Sequence, residues 1–103
     1  MDGDALQCVR LCDLRREIMW TEESEEHIWK EHEVRPAEVE DVVNCRPRYV
    51  TRGRGATEEV YGQSSVGRYL LVILSEALDG RDYVVTARDM EPDERRLYLR
   101  KAR

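Results

Sequence analysis

The chain has 103 residues, which is the size of one small domain and too short for two independent hydrophobic cores. Hydrophobic residues make up 41% of it and charged residues 38%, a composition typical of a globular rather than a disordered chain. The longest apolar run, at 69–74, is far shorter than the roughly 20 residues of a membrane-spanning helix, and Asp2 and Asp4 stand where a signal peptide is basic. These features exclude a multidomain enzyme and predict a cytoplasmic protein with no membrane contact.

The formal net charge of −5 is unevenly distributed along the chain. Residues 1–43 contain 13 acidic and 5 basic residues, whereas residues 44–70 contain 5 basic and 2 acidic ones. Only Lys30 and Lys101 among the 17 basic residues are lysines, and arginine is the side chain best suited to two-point phosphate contacts. The basic middle of the chain is therefore a candidate for binding phosphate, although a high-GC coding sequence produces the same preference for arginine.

The three cysteines, Cys8, Cys12 and Cys45, cannot all pair with one another, and thiols in the cytoplasm stay reduced. We therefore expect no disulfide framework. Cys8 and Cys12 form a set of four metal-ligand types with His27 and His32, but the cysteine spacing is longer than in the familiar zinc pattern. The sequence accordingly predicts no metal and no cofactor.

The beginning of the chain predicts a leader followed by a short strand. Residues 1–14 have apolar side chains without a clean period, which indicates a docked turn of helix or a loose arm. We place this leader outside a single domain that spans residues 15–103. A short apolar stretch at 17–20 predicts the first strand of that domain.

Two helices are predicted next. Thr21 offers an N-cap hydroxyl, and the glutamates that follow it suit the positive end of a helix dipole, so we expect a helix at 22–31. Pro36 is placed at the first position of a second helix, in which valines at i, i+3 and i+4 form one apolar stripe. This second helix should end near Asn44.

Four runs of strand-forming residues follow, at 48–52, 58–63, 68–75 and 82–86. Turn residues separate them, and the Asp79-Gly80 pair is a strong hairpin signal. Connections this short favour antiparallel neighbours, and the run at 68–75, which is apolar on both faces, should be the central strand. Pro92 then begins a last helix. The predicted fold is α+β, with an antiparallel sheet of about four to five strands, two N-terminal helices and one C-terminal helix.

Three groups of residues are candidates for chemistry. His32 ends the first helix, where the dipole favours the imidazolium form, although a partly buried structural histidine fits the same position. Arg88 follows Thr86-Ala87 at the end of the last strand, before a helix that carries Glu94, Arg95 and Arg96, so four charged groups should converge there. The third group shares one face of an extended segment and forms a basic rail, for which an edge strand protected by charge is the alternative explanation. Its members are Arg46, Arg48, Arg52 and Arg54.

Six short motifs stand in order along the chain. In the first half they are Trp20-Thr-Glu-Glu, Glu26-His-Ile-Trp-Lys-Glu-His-Glu-Val34 and Pro36-Ala-Glu-Val-Glu. In the second half they are Val60-Tyr-Gly-Gln, Gly67-Arg-Tyr-Leu-Leu-Val and Val85-Thr-Ala-Arg-Asp-Met-Glu-Pro-Asp-Glu-Arg-Arg-Leu-Tyr98. Each motif is weak alone, but together they are spread over about 80 residues, Ile18 to Tyr98, and resemble the BrnT family of toxins.

The resemblance implies a RelE-like fold and a bacterial type II toxin, an endoribonuclease that cuts RNA without a metal and so inhibits translation. It also implies a cognate antitoxin, of the ribbon-helix-helix type, that masks the toxin and contacts operator DNA. In such a system the toxin reaches operator DNA only through the antitoxin. The alternative is a non-catalytic protein-interaction module on the same fold.

The resemblance also implies roles for particular residues. His32 matches the histidine at the end of the family's helix and is expected to carry the proton. Arg88 and Arg95 are expected to hold the phosphate, and Glu94 to be a base or an orienting carboxylate. Lys30 and Arg68 are expected to be secondary RNA-binding cations, beside the predicted RNA-binding rail at Arg48, Arg52 and Arg54.

Overall fold

The computed structural model describes residues 11–12, of which only the backbone is described, together with 18–76 and 81–103. The helices in this part are α1 (Glu22–His32), α2 (Pro36–Asn44) and α3 (Pro92–Lys101). The strands are β1 (Leu11–Cys12), β2 (Ile18–Met19), β3 (Cys45–Arg46), β4 (Arg48–Arg52), β5 (Thr57–Gln63), β6 (Tyr69–Glu76) and β7 (Asp82–Asp89).

Five of these strands form one sheet in the order β2-β7-β6-β5-β4, and β1 pairs with β3 separately. The strands β4, β5, β6 and β7 are antiparallel neighbours, as predicted, and β6 is central. The prediction of a wholly antiparallel sheet is wrong, because β2 pairs with β7 in parallel. Short turns force antiparallel neighbours only within the β4 to β7 meander, whereas β2 reaches β7 through a connection long enough for a parallel crossover.

The helices begin where the sequence predicts, because the caps are local. The Oγ1 of Thr21 accepts a hydrogen bond from the Ser24 backbone N–H at 3.0 Å, and the Ser24 hydroxyl accepts one from the Thr21 backbone N–H at 3.1 Å. Pro36 and Pro92 stand in the first turns of α2 and α3. A proline there loses no helical hydrogen bond and already has the helical φ.

A core cluster lies between the sheet and the two N-terminal helices. Its fully or almost fully buried members are Ile28, Val34, Val39, Val42, Val43, Val60, Leu70, Val72, Leu74, Val84 and Ala87. Helix α2 approaches β5 so closely that a Cβ on Gly62 would lie 3.0 Å from Cγ1 of Val42. This close packing fixes α1 and α2 on one side of the sheet, which we call the two-helix face.

A second, aromatic cluster lies on the opposite side of the sheet, beneath α3. Tyr61, Leu71 and Tyr98 are its buried members, and Tyr49 and Tyr69 pack against it. Successive residues of a strand point to opposite faces, so Ala87 belongs to the first cluster while Arg88, opposite Leu71, points toward the second. We call this second side the tyrosine face.

Two further expectations differ from the structure. Cys45 is disulfide-bonded, so the expectation of reduced cysteines, which assumed a reducing compartment, is wrong for this residue. Leu11–Cys12 pairs with Cys45–Arg46 instead of standing apart from the domain, while residues 1–10 and 13–17 of the leader region lie outside the described residues. The predicted Asp79-Gly80 hairpin turn also lies outside them. No helix in the described ranges has the length and apolar character needed to cross a membrane.

Candidate functional site

The best-defined polar contact on the tyrosine face joins β7 to the first turn of α3. Arg88 donates from Nη1 to Oε1 of Glu94 and from Nη2 to Oε2, both at 2.8 Å. The same Oε1 accepts the Glu91 backbone N–H at 2.9 Å, which caps the helix, and Nη1 of Arg88 also donates to the Asp89 carbonyl at 3.1 Å. The turn after β7 therefore places the carboxylate where the strand ends.

The electrostatics of this pair follow from its two-point geometry. The hydrogen bonds from Arg88 hold the pKa of the Glu94 carboxyl below its usual 4.5, outweighing the opposite effect of burial. The Glu94 carboxylate in turn raises the pKa of the Arg88 guanidinium. Both groups stay charged at neutral pH, and since the side chains are 31% and 23% exposed, solvent and ligands reach them. A carboxylate held ionised in this way is a weak base, so Glu94 orients Arg88.

Tyr61 lies beside this pair and was missed by the sequence analysis. Burial, followed by the negative charge of Glu59 and then of Glu94, raises the pKa of its phenol above 10.0. Its hydroxyl donates to Oε1 of Glu59 at 3.4 Å, and its ring centroid is 5.5 Å from that of Tyr49. Tyr61 is therefore a neutral phenol at pH 7, which donates a hydrogen bond to the Glu59 carboxylate and carries a proton that a strongly basic leaving oxygen is able to take.

Arg95 extends the same face along α3. Its guanidinium carbon lies 4.3 Å from the ring centroid of Tyr69, which packs edge-on against Tyr98 at 5.8 Å. The guanidinium of Arg95 is exposed and lies over an aromatic ring, an arrangement stabilised by cation–π attraction. Arg88, Glu94 and Arg95 thus lie on the tyrosine face, whereas Arg96 pairs with the exposed Asp93 of the same helix.

His32 and Lys30 do not lie on that face. Both belong to α1, which packs against β7 on the two-helix face. The imidazole of His32 lies edge-on to that of His27 at 5.9 Å, and Nε2 of His27 is 3.4 Å from Oγ1 of Thr86. His32 thus packs beside His27 on α1 while Arg88 pairs with Glu94, and a single site containing both His32 and Arg88 stays a prediction.

The Arg68 side chain is held by groups of the protein itself, at the end of α1 and on β7. Its guanidinium donates three hydrogen bonds of 3.0 to 3.2 Å to the Asp89 carboxylate and lies 3.4 Å from Oε1 of Glu38. It also donates to the backbone carbonyls of His32 at 3.1 Å and Glu33 at 2.6 Å. Arg68 thus satisfies the carbonyls at the C-terminal end of α1, and the donors predicted to bind RNA are already engaged.

The predicted basic rail is divided in the structure. Arg46 belongs to β3 and is separated from β4 by Pro47, so it does not continue the same extended segment. Nη1 of Arg48 donates to the Val43 carbonyl at 3.0 Å, near the end of α2. Arg52 and Arg54 remain exposed at the far end of β4 and in the following turn.

The sequence contains a signal for the missed residues, but it depends on strand register. Glu59 and Tyr61 are two residues apart on β5 and so share one face, and Tyr49 is the cross-strand partner of Tyr61. Assigning these three side chains to the face of Arg88 requires the pairing of β5 with β6 and of β6 with β7, which no local motif specifies. Within the described ranges, His, Cys, Asp and Glu form no group of three or more that is placed to hold a metal ion.

Comparisons of this chain with protein-family models, with curated proteins and with solved structures gave no match.

Proposed function

We propose that the protein is an endoribonuclease toxin of a bacterial type II toxin–antitoxin system, built on a RelE-like version of the observed α+β fold and resembling the BrnT family. The observation that supports the proposal best is the tyrosine face, where Arg88 pairs with Glu94 and interacts electrostatically with the neighbouring Tyr61, whose neutral phenol donates a hydrogen bond to Glu59. A cation, a proton donor and a proton acceptor are the groups that metal-independent RNA cleavage needs.

The reaction follows from the roles of these groups. Glu59 accepts the proton of a ribose 2′-hydroxyl, whose oxygen forms a bond to the adjacent phosphorus. Arg88 stabilises the negative charge on the phosphate oxygens, and Tyr61 donates its proton to the departing 5′-oxygen as the P–O bond breaks. The products are a 2′,3′-cyclic phosphate and a 5′-hydroxyl, and the proton on Glu59 returns to Tyr61 through the hydrogen bond that joins them.

Translation stops in this proposal because RNA is cut in the cytoplasm, and a cognate antitoxin of the ribbon-helix-helix type prevents this by covering the toxin. The antitoxin carries the DNA-binding part, so the toxin reaches operator DNA only through it. The exposed guanidinium of Arg95, on the same face as Arg88, supports a phosphate-bearing substrate, because phosphate neutralisation provides most of the affinity for RNA.

Cleavage of a labelled single-stranded RNA in EDTA by the purified chain tests the proposal. We expect fragments that end in a 2′,3′-cyclic phosphate, and we expect Arg88→Ala and Tyr61→Phe to lower the rate at least a hundredfold. His32→Gln should cleave like the wild type, because His32 lies on the other face. Arg96→Ala, which removes an exposed arginine from α3, is the matched control for lost positive charge. Loss of cleavage in His32→Gln alone would assign the reaction to the two-helix face.

One observation favours a second function, a non-catalytic interaction module on the same fold. Arg88 already makes a two-point ion pair with Glu94, so a phosphate must compete with that carboxylate for the guanidinium. A chain that does not cleave RNA or slow growth when its expression is induced, but that elutes together with the product of the adjacent gene, would have this second function.

A further inference from the structure

Strand β4 is the outer strand of the five-stranded sheet, and the direction of its backbone groups is fixed by its neighbours. Beyond its end, the Gly53 N–H donates to the Thr57 carbonyl of β5 at 3.1 Å, so odd-numbered residues direct their backbone groups inward. Even-numbered residues direct theirs outward, because hydrogen-bonding direction alternates along an antiparallel strand.

The outward edge already carries one backbone pair. The Arg48 N–H donates to the Arg103 carbonyl at 3.2 Å, and the Arg103 N–H donates to the Arg48 carbonyl at 3.1 Å. This reciprocal pair has the pattern of an antiparallel ladder. Arg103 therefore occupies the first outward position of β4, and Val50 and Arg52 provide the next two.

Those next two positions are open within the described part of the chain. Neither Val50 nor Arg52 has an outward backbone partner among the described residues, and the side chain of Val50 is 40% exposed. Unpaired N–H and C=O groups in a row form a template for another extended chain. Another extended chain can therefore pair with β4 at Val50 and Arg52, next to the backbone pair of Arg48 and Arg103.

The charge of this edge selects its occupant. Residues 44–54 contain four arginines and no acidic residue, and Arg46, Arg52 and Arg54 are exposed. A second copy pairing edge to edge would oppose arginine with arginine, which disfavours self-association. RNA has no alternating N–H and C=O groups and so leaves the ladder unused. An extended acidic peptide satisfies both the backbone groups and the charge.

We propose that the outer edge of β4 binds an extended acidic segment of a partner protein, which adds a sixth strand to the sheet at Val50 and Arg52. The backbone ladder supplies affinity, and the exposed arginines supply the preference for acidic side chains. This binding does not depend on RNA cleavage, since Val50 and Arg52 lie outside the group of residues proposed for the reaction.

Fluorescence anisotropy of a labelled octapeptide of alternating Glu and Val, titrated with the full chain, tests the proposal. We expect saturable binding, and we expect an alternating Lys and Val octapeptide to bind at least tenfold more weakly. Val50→Pro removes an outward N–H without breaking a bond of the β4–β5 ladder, so it should weaken binding about tenfold. Val50→Ala keeps the N–H and is the matched control, which should bind as the wild type does.

A modified peptide tests the same point if the Val50→Pro protein fails to fold. The same octapeptide, N-methylated at alternate amides, retains its charge but cannot form the ladder, and we expect it to lose binding to the wild-type chain. Equal binding of the methylated and unmethylated octapeptides would overturn strand addition. Binding of single-stranded RNA that Arg52→Glu abolishes, without any binding of the octapeptide, would assign the edge to RNA. Dimerisation lost in Val50→Pro would assign it to a second copy.

Discussion

Arg88 and Glu94 meet across the turn between β7 and α3, with each terminal guanidinium nitrogen 2.8 Å from a carboxylate oxygen. The same carboxylate caps α3 through the Glu91 N–H, so one side chain both begins the helix and fixes the direction of the arginine. Because the pair is only partly exposed, its contribution to stability exceeds that of a fully exposed surface pair. A helix cap and the central cation of the proposed site are thus one structural unit.

The first prediction concerns the pH dependence of this unit. The folded pKa of Glu94 lies below its usual 4.5, so its contribution to the free energy of unfolding is complete above pH 4.5 and is lost as the pH falls through the folded pKa. Urea unfolding of the wild type and Glu94→Gln should give a constant stability difference from pH 7 to about pH 5 that narrows at lower pH. A difference that widens on acidification would contradict the depressed pKa.

The second prediction concerns the end of α1. Glu33 caps this helix with φ 54° and ψ 41°, the left-handed conformation that glycine adopts without a Cβ penalty. Glu33→Gly should therefore raise the free energy of unfolding by about 1 kcal/mol. Denaturant unfolding measures the change. Glu26→Gly, at an exposed position in the middle of the same helix, is the opposite control and should lower stability by about 1 kcal/mol. Equal loss in both variants would mean that Glu33 is not strained.

The third prediction concerns Arg68. Removing this side chain leaves the carbonyls of His32 and Glu33 and the carboxylate of Asp89 without their donor. Arg68→Ala should lower the free energy of unfolding by about 2 kcal/mol, because unmet partly buried acceptors cost more than a lost surface contact. Arg96→Ala, which breaks an exposed pair with Asp93, is the control and should change stability little. Equal effects of the two substitutions would mean that Arg68 does not stabilise the end of α1.

Features set by neighbouring residues were predictable from the sequence. Thr21, Pro36 and Pro92 mark the beginnings of the three helices because capping and proline geometry act within one turn. The run that forms β6 is predicted as the central strand because it is apolar on both faces, and the structure buries most of its apolar side chains. Strand β7 runs three residues beyond its predicted end at Thr86, since β6 supplies a pairing partner for its charged end.

Features set by distant residues were not predictable. The resemblance to the BrnT family assigns His32 and Arg88 to one site, but a local motif does not specify which face of the sheet a side chain reaches, and the alternation along β7 directs Arg88 toward the tyrosine cluster. Arg46 and Arg48 are two residues apart, which predicts one face if the segment is a single strand. Pro47 instead separates Arg46, at the end of β3, from Arg48, at the beginning of β4. Tertiary register, not local pattern, decides which side chains share a face.

The last prediction separates Arg88 from Arg95, since both lie on the tyrosine face but only Arg88 is assigned to the transition state. Arg88→Ala should lower the cleavage rate at least a hundredfold at every salt concentration, even with saturating RNA. Arg95→Ala removes an exposed cation above Tyr69, so it should weaken RNA binding. The slope of the logarithm of RNA affinity against the logarithm of salt concentration should become shallower by about one unit, and the cleavage rate should be near normal once RNA is saturating. Single-turnover cleavage at rising RNA concentration measures both effects. Full recovery of Arg88→Ala at saturation would make Arg88 a binding residue and move the reacting phosphate elsewhere on this face.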